Sequence, residues 1–357
     1  MADHKFAFII HPLSARDVAR KYPVARFLPE RTVEWFIKMK DPVLVSHITG
    51  IRGTDGSTAE GWFIGCPLTP RQLLTLPEEE VWKRLVKAAH IAEDLGAGIM
   101  GLGAFTSVVG DGGKTLSERV NIGITTGNSY TVATAVQGAL KGAELMGINP
   151  KEAVAAVVGA TGSIGKTSAR LLARDCRRVV LVGRSKEKLQ AAMEELSADG
   201  VAELEMSASV AESLPKADIV LTVSSAVDAI IQPEHLKAGA VVCDVARPRD
   251  VSVRVAKERD DVLVIEGGVV EVPGEVEFNF DFGFPARTAY ACMSETMALA
   301  LAGRYESFSL GKDISLEQVD DITRLAEGKG FRLAGFRSFE QALDEESIRR
   351  IAEKAHP

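Results

Sequence analysis

Between residues 154 and 268 the chain repeats short Val/Ile-rich runs, each ending in Gly, Ser or Asp and separated by stretches long enough to hold a helix. The runs are AVAAVVG (153–159), RVVLVG (178–183), DIVLTV (218–223), AVVCDV (240–245) and VLVIEG (262–267), with a weaker strand near 201–206. Strands apolar along their whole length are buried on both faces. The alternation therefore predicts an α/β fold with a parallel sheet covered by helices on either side.

The first run leads into Gly159-Ala160-Thr161-Gly162-Ser163-Ile164-Gly165 and then a helix through KTSARLLAR. In such a strand–loop–helix unit the first glycine permits a tight turn, the middle one admits a pyrophosphate, and the last lets helix pack on strand. The phosphates sit on the helix N-terminus, where N–H groups and the dipole favour anions. The expectation is a Rossmann-type, doubly wound dinucleotide-binding domain contacted through Gly159, Thr161, Gly162, Ser163, Ile164 and Gly165.

An NAD site usually ends its second strand in a carboxylate for the ribose 2′-hydroxyl. Here the strand ends in Gly183-Arg184-Ser185-Lys186, with Lys188 one turn on. A guanidinium fork at Arg184 and a hydroxyl at Ser185 suit a 2′-phosphate, so NADPH is the expected cofactor. Ligands of open α/β sheets gather at the carboxyl ends of the strands, which adds Ser224, Gly267 and Gly268 as candidate contacts, the glycines giving the nicotinamide room. Asp244, near the end of the fifth strand, reads equally well as a site residue or a buried loop anchor.

The remainder is organised differently. A hairpin is expected from LVSHITGI (44–51) and AEGWFIG (59–65) about the turn Thr54-Asp55-Gly56-Ser57, followed by a helix over 77–95, a buried strand within GAGIMGLGAFTS (96–107) and a helix over 129–146. Asn149-Pro150 breaks that helix. The expected organisation is an N-terminal α/β substrate domain over 1–150, a cofactor domain over 151–284, and a helical segment over 285–357 that returns to the cleft. Helices are expected over 285–303, 315–328 and 338–354.

With 42 basic and 49 acidic residues the net charge is −7, which offers no general field for nucleic acid. No apolar stretch suits a membrane span and no signal-peptide design opens the chain. Cys66, Cys176, Cys243 and Cys292 show neither CxxC pairing nor zinc-ligand spacing, so no metal site is expected and a reducing cytoplasm is the expected compartment. On spacing alone a lone cysteine in a helix, such as Cys292, reads as a small core residue. Cys66, at the end of a strand, is the rival thiol.

Several blocks together change the weight on Cys292: GLGAFTSVV (101–109), TTGNSYT (125–131), VVGATGSIG (157–165), GGVVE (267–271) and ACMSETMALALAGRYESFSLGKDIS (291–315), with a fainter echo in FIIHPLSARDVAR (8–20). In these the chain resembles the long-chain fatty acyl-(acyl carrier protein) reductases best known from cyanobacteria. The resemblance implies that a cysteine takes the acyl group of a long-chain thioester and that NADPH reduces it to a fatty aldehyde. The family's nucleophile falls on Cys292. The acyl donor would be acyl carrier protein or coenzyme A, and an aldehyde-consuming enzyme would follow. No motif places a histidine beside Cys292; His11 is one candidate, and a structural or capping role is the reading favoured for it. The acyl chain is expected to run near residues 96–107 and the helix after Asn128. Two other readings stay open: an alcohol oxidoreductase like shikimate dehydrogenase, for which no convincing lysine motif stands in the N-terminal part, and a non-catalytic NADP-binding scaffold.

Overall fold

The computed structural model describes residues 2–12, 18, 23–197, 202–226 and 228–355. Along the chain run β1 (His4–Ile10), β2 (Val43–Arg52), β3 (Thr58–Gly65), α1 (Glu78–Asp94), β4 (Ile99–Leu102), β5 (Gly123–Thr125) and α2 (Asn128–Leu145). Next come β6 (Val154–Val158), α3 (Ser163–Asp175), β7 (Arg178–Val182), α4 (Lys186–Ser197), β8 (Glu203–Ser207), β9 (Ile219–Thr222), β10 (Val241–Asp244) and β11 (Leu263–Glu266). The chain continues through β12 (Gly274–Glu277) and α5 (Ala291–Leu301) to the helices Leu316–Lys329 and Glu345–Ala355. It divides into two compact units. One comprises Met1–Gly127, Glu271–Asp313 and Asp321–Arg332; the other comprises Asn128–Val270, Ile314–Asp320 and Leu333–Pro357.

The second unit holds a six-stranded sheet in the order β11-β10-β9-β6-β7-β8, parallel at every pairing. Read from its other edge, the order is that of a doubly wound Rossmann sheet, as the sequence led us to expect. Both faces are covered, which is why the strands carry no polar alternation. Ala155, Val157, Leu181 and Leu221 pack with Ala135, Ala139 and Ala143 of α2 and with Ala169 and Leu172 of α3. The intervening Ala156, Val158, Val180 and Val220 pack with Leu214, Ile231 and Val255. Gly142 lets α2 approach the sheet, because a Cβ there would stand 2.9 Å from Val241 Cγ1. The weak run near 201–206 is β8, an edge strand that is mostly half-buried.

The first unit is built on a mixed sheet, β12-β2-β3-β1-β4-β5. Its hairpin β2–β3 is antiparallel, as expected, whereas β1 runs parallel to both β3 and β4. The short apolar run at 6–10, to which the sequence reading gives no role, is thus a central strand, with Phe6, Ala7, Phe8 and Ile9 buried. On α1 the buried residues Val81, Trp82, Leu85, Ala88, Ala89 and Ala92 follow the 3.6 period and form one core with Ala7, Ile9, Met100 and Leu102. Three acidic residues in its first turn complement the helix dipole.

The expected helix over 285–303 is shorter than the pattern suggested. Thr288–Tyr290 is extended, and the helix proper begins at Ala291. Thr288 Oγ1 donates to Pro285 O at 2.8 Å and Arg287 holds a left-handed φ of 61°, so the chain turns before the helix can start. That shift moves Cys292 from a helix interior to the first turn. Among the described residues no helix is long and apolar enough to cross a membrane.

Candidate active site

In the second unit β6 ends at the glycine loop, and each glycine there has a distinct physical task. Gly159 takes φ +85°, and a Cβ on it would lie 2.7 Å from Val223 O. Gly165 is the close-packing position, since a Cβ would meet Gly159 O at 2.3 Å. Gly162 differs: the nearest atom to its Cβ position is Gly159 O at 3.4 Å, so space lies open above the loop. Gly162 also caps α3 without a side-chain hydrogen bond, leaving the first-turn N–H groups of Ser163, Ile164 and Gly165 for an anion. A close turn, an open middle position and a bare helix N-terminus together fit a dinucleotide pyrophosphate.

At the end of β7, Arg184 is exposed and has no ion-pair partner among the described residues. Ser185 is already occupied locally. Its hydroxyl donates to Glu187 Oε2 at 2.9 Å and accepts from the Lys188 N–H at 3.3 Å, which ties it to the start of α4. Ser224 is similarly committed, because its N–H and hydroxyl both donate to the buried Asp250, at 2.9 and 2.6 Å. Sequence reasoning missed Asp250, which stands too far along the chain for a local pattern to reveal. Asp244 accepts the N–H groups of Ala246 and Val251, each at 3.0 Å, and burial pushes its carboxyl up to about 6. It anchors the loop after β10. At Gly267 the missing side chain makes room for Cys243 Sγ and Val245 Cγ2, each 2.7 Å from a Cβ placed there, while Gly268 is left-handed at φ +72°.

The first unit contains the candidate thiol. Cys292 is the second residue of α5, preceded by Tyr290, which caps the helix without a side-chain hydrogen bond. A thiolate in that turn faces the positive end of the helix dipole. Of the four cysteines it alone is partly exposed; Cys66, Cys176 and Cys243 are buried, and burial pushes each of their thiols up to about 12. Those three thiols stay protonated at neutral pH, Cys66 included.

The turn before α2 lies directly on Cys292. Gly127 is left-handed at φ +73°, and a Cβ on it would come within 2.3 Å of both Cys292 Cα and Cβ. Thr125 Oγ1 accepts from the Gly127 N–H at 3.3 Å and donates to Glu295 Oε1, and Glu295 is fully buried one turn after the cysteine. Thr126 Oγ1 donates to Ser309 O, which holds the same turn against the segment after α5. No pattern in the sequence singles out Thr125, Gly127 or Glu295. The signal available for them is that TTGNSYT and ACMSETM occur in the same chain. His11 anchors a loop, its Nε2 accepting from the Phe105 N–H at 3.2 Å. Among the described residues no group of three or more His, Cys, Asp or Glu side chains could hold a metal.

The strand next to this turn is close-packed. A Cβ at Gly101 would meet Thr296 Oγ1 at 2.1 Å and the Phe8 ring at 2.5 Å, and one at Gly103 would meet the same ring at 2.7 Å. The room expected near residues 96–107 for an acyl chain is therefore taken up by Phe8 and Thr296 at these two glycines.

The sheet order and the glycine loop are those of an NAD(P)-binding Rossmann domain, and the family and one relative that the chain resembles are oxidoreductases. Residues 143–266 match the shikimate/quinate 5-dehydrogenase family. The resemblance read from the sequence is borne out at 28% identity to the long-chain acyl-(acyl-carrier-protein) reductase of Synechococcus elongatus, over 89% of this chain and 94% of that protein. The chain is also 28% identical to the aminotransferase PigE of a Serratia species, over 96% of its own length but 41% of that protein's, so it spans about two fifths of that relative. Among solved structures, a dipicolinate synthase chain from Bacillus halodurans aligns at 13% identity with a TM-score of 0.36, covering 76% of this chain and 90% of that one. That likeness has no bearing on function.

Proposed function

We propose that the protein reduces a long-chain acyl thioester to a fatty aldehyde, with NADPH as reductant and Cys292 as the residue that carries the acyl group. One observation supports this above the rest: three of the four thiols are buried and held protonated, while Cys292 is partly exposed in the first turn of a helix. The Cys292 thiolate attacks the thioester carbonyl, its C–S bond forms, and the bond to the carrier sulfur breaks. The departing carrier thiolate takes up a proton. Because one thioester replaces another, the carbonyl remains activated for reduction. The first-turn N–H groups of α5 lie at the end of the helix where charge developing on the carbonyl oxygen would be stabilised.

Gly159, Thr161, Gly162, Ser163, Ile164 and Gly165 hold the pyrophosphate, and Arg184 receives the 2′-phosphate, with Ser185 fixing the helix start beside it. Ser224, Gly267 and Gly268 shape the strand ends around the nicotinamide. NADPH, when bound, supplies the hydride. The acyl donor is acyl carrier protein or coenzyme A, and the aldehyde passes to an enzyme that consumes it. Four cysteines outside disulfides suit a reducing cytoplasm. The alcohol-oxidoreductase reading gains support for the cofactor portion only, since the dehydrogenase family match ends at residue 266, before Cys292.

Intact-mass analysis after incubation with hexadecanoyl-coenzyme A, without NADPH, tests the reading. Wild-type protein should gain one acyl group, labile to hydroxylamine. Cys292→Ser should lose both the adduct and aldehyde formation, by more than about a hundredfold, while Cys66→Ser stays within about twofold of wild type. An adduct that survives Cys292→Ser would overturn the assignment.

A further inference from the structure

The segment Phe278-Asn279-Phe280-Asp281-Phe282-Gly283-Phe284 places an aromatic ring at every second residue just before the helix of Cys292. The segment is no strand, since the chain bends at 279–280 and again at 282–283, with Asn279 and Gly283 left-handed, and those bends bring the rings together. Phe278 and Phe282 stand 5.1 Å apart edge to face, Phe280 and Phe282 stack at 6.5 Å, and Phe282 meets Phe284 at 5.5 Å. Phe284 then packs edge to face on Tyr290 at 4.5 Å. Tyr290 precedes Cys292 by two residues and caps its helix. At the far end Phe278, Phe280 and Phe282 all contact the fully buried Phe63 of β3, at 6.1, 6.0 and 5.7 Å.

The intervening polar residues fix the track. Asn279, left-handed at φ 51°, donates from Nδ2 to His47 O at 2.9 Å, Ser46 Oγ donates to Phe278 O at 2.9 Å, and Asp281 Oδ1 accepts from the Gly283 N–H at 2.8 Å. A track that served only the core would be covered. Instead it opens from the buried Phe278 to Phe280, which is 38% exposed, with Phe282 and Phe284 half-buried. A row of rings that ends on Tyr290, two residues before the proposed nucleophile, and remains open on one side suits an apolar chain, and the Asp281 carboxylate within the segment is turned back onto the Gly283 N–H.

From this geometry we infer that Tyr290, Phe284, Phe282 and Phe280 form the binding track for the acyl chain carried by Cys292, and that they set the preference for long chains. The inference rests on the thioester-reductase reading for its ligand. Each methylene buried along the rings multiplies affinity about fourfold, so a carboxylate placed on the track should act strongly on long chains and weakly on short ones.

The test compares rates of Cys292 acylation by hexadecanoyl- and hexanoyl-coenzyme A in wild type, Phe280→Asp, Phe284→Asp and the apolar control Phe284→Leu, with circular dichroism melts to confirm folding. A second readout, binding of the fluorescent fatty acid cis-parinaric acid, needs no chemistry at Cys292. The expected result is a fall of at least about tenfold in the hexadecanoyl-to-hexanoyl ratio for both Asp variants, a parallel loss of probe binding, and recovery in Phe284→Leu. A ratio and probe affinity within about twofold of wild type would overturn the track. If wild type forms no adduct with either thioester, the reductase reading fails. Probe binding lost in Phe280→Asp would then still support the track, and probe binding unaffected by it would remove both.

Discussion

Two left-handed glycines mark the two candidate sites of this molecule, the glycine loop and the proposed Cys292 site, and they differ in what each one needs from the rest of the chain. Gly159 turns the backbone inside a loop whose strand, glycines and helix all lie within about twenty consecutive residues, as phosphate loops of this kind do. Gly127 turns the backbone against Cys292, a residue far along the sequence in a segment that returns to the first unit only after the whole Rossmann sheet has been completed. The first centre is a local construction. The second is assembled by tertiary structure, and its parts have no meaning in isolation.

The sharpest way to test that difference is Gly127→Ala. A methyl group at φ +73°, within 2.3 Å of Cys292 backbone and Cβ, cannot be accommodated by a side-chain shift. The variant should lose on the order of 3 kcal/mol or more of stability together with Cys292 acylation, read by thermal unfolding and intact mass. A stable, fully reactive Gly127→Ala protein would show that the turn does not position Cys292.

Gly162→Val should separate the centres in the other direction. The position is open, so the fold should persist with an unchanged melting profile, while calorimetry finds no NADPH binding, and acylation of Cys292 without NADPH continues. Retained cofactor affinity would make the loop merely structural.

Arg184→Ala should act more gently. Loss of a charge-assisted contact to the 2′-phosphate should cost about 1.5–3 kcal/mol of NADPH binding and leave NADH nearly untouched. Equal losses for the two cofactors would remove the argument for NADPH.

The smallest expected effect lies in the loop after β10. Burial holds Asp244 at about 6, above the 3.8 of an ordinary aspartate, so across that window the folded chain keeps a proton that the unfolded chain has released. Stability should therefore fall as pH rises from 3.8 to about 6 and level off above it. Asp244→Asn should flatten this slope, about 1 kcal/mol per pH unit at its steepest, measured by urea unfolding across the window. An unchanged slope would mean that other groups carry it.

The same contrast separates what could be read from the sequence from what could not. The six Rossmann strands, the glycine loop and the hairpin β2–β3 were legible because burial on both faces, glycine at fixed offsets and turn residues each leave a mark within a few residues. The central position of β1 was not, since a five-residue apolar run looks the same at the centre of a sheet as at its edge. Cys292 itself stood out only through resemblance. Composition and periodicity placed it inside a helix, and the turn made by Pro285, Arg287 and Thr288 put it at the helix end instead.

By itself, then, the sequence determined the parallel sheet, its glycine loop and a basic second-strand end, all of which depend on neighbours in the chain. Tertiary structure alone decided which of four thiols escapes burial, that Gly127 packs on Cys292 while Thr125 ties that turn to Glu295, and that Ser224 belongs to Asp250. The physical reason is that desolvation and close approach are set by which distant segments pack together. Neither has a period or a spacing that a linear reading could detect.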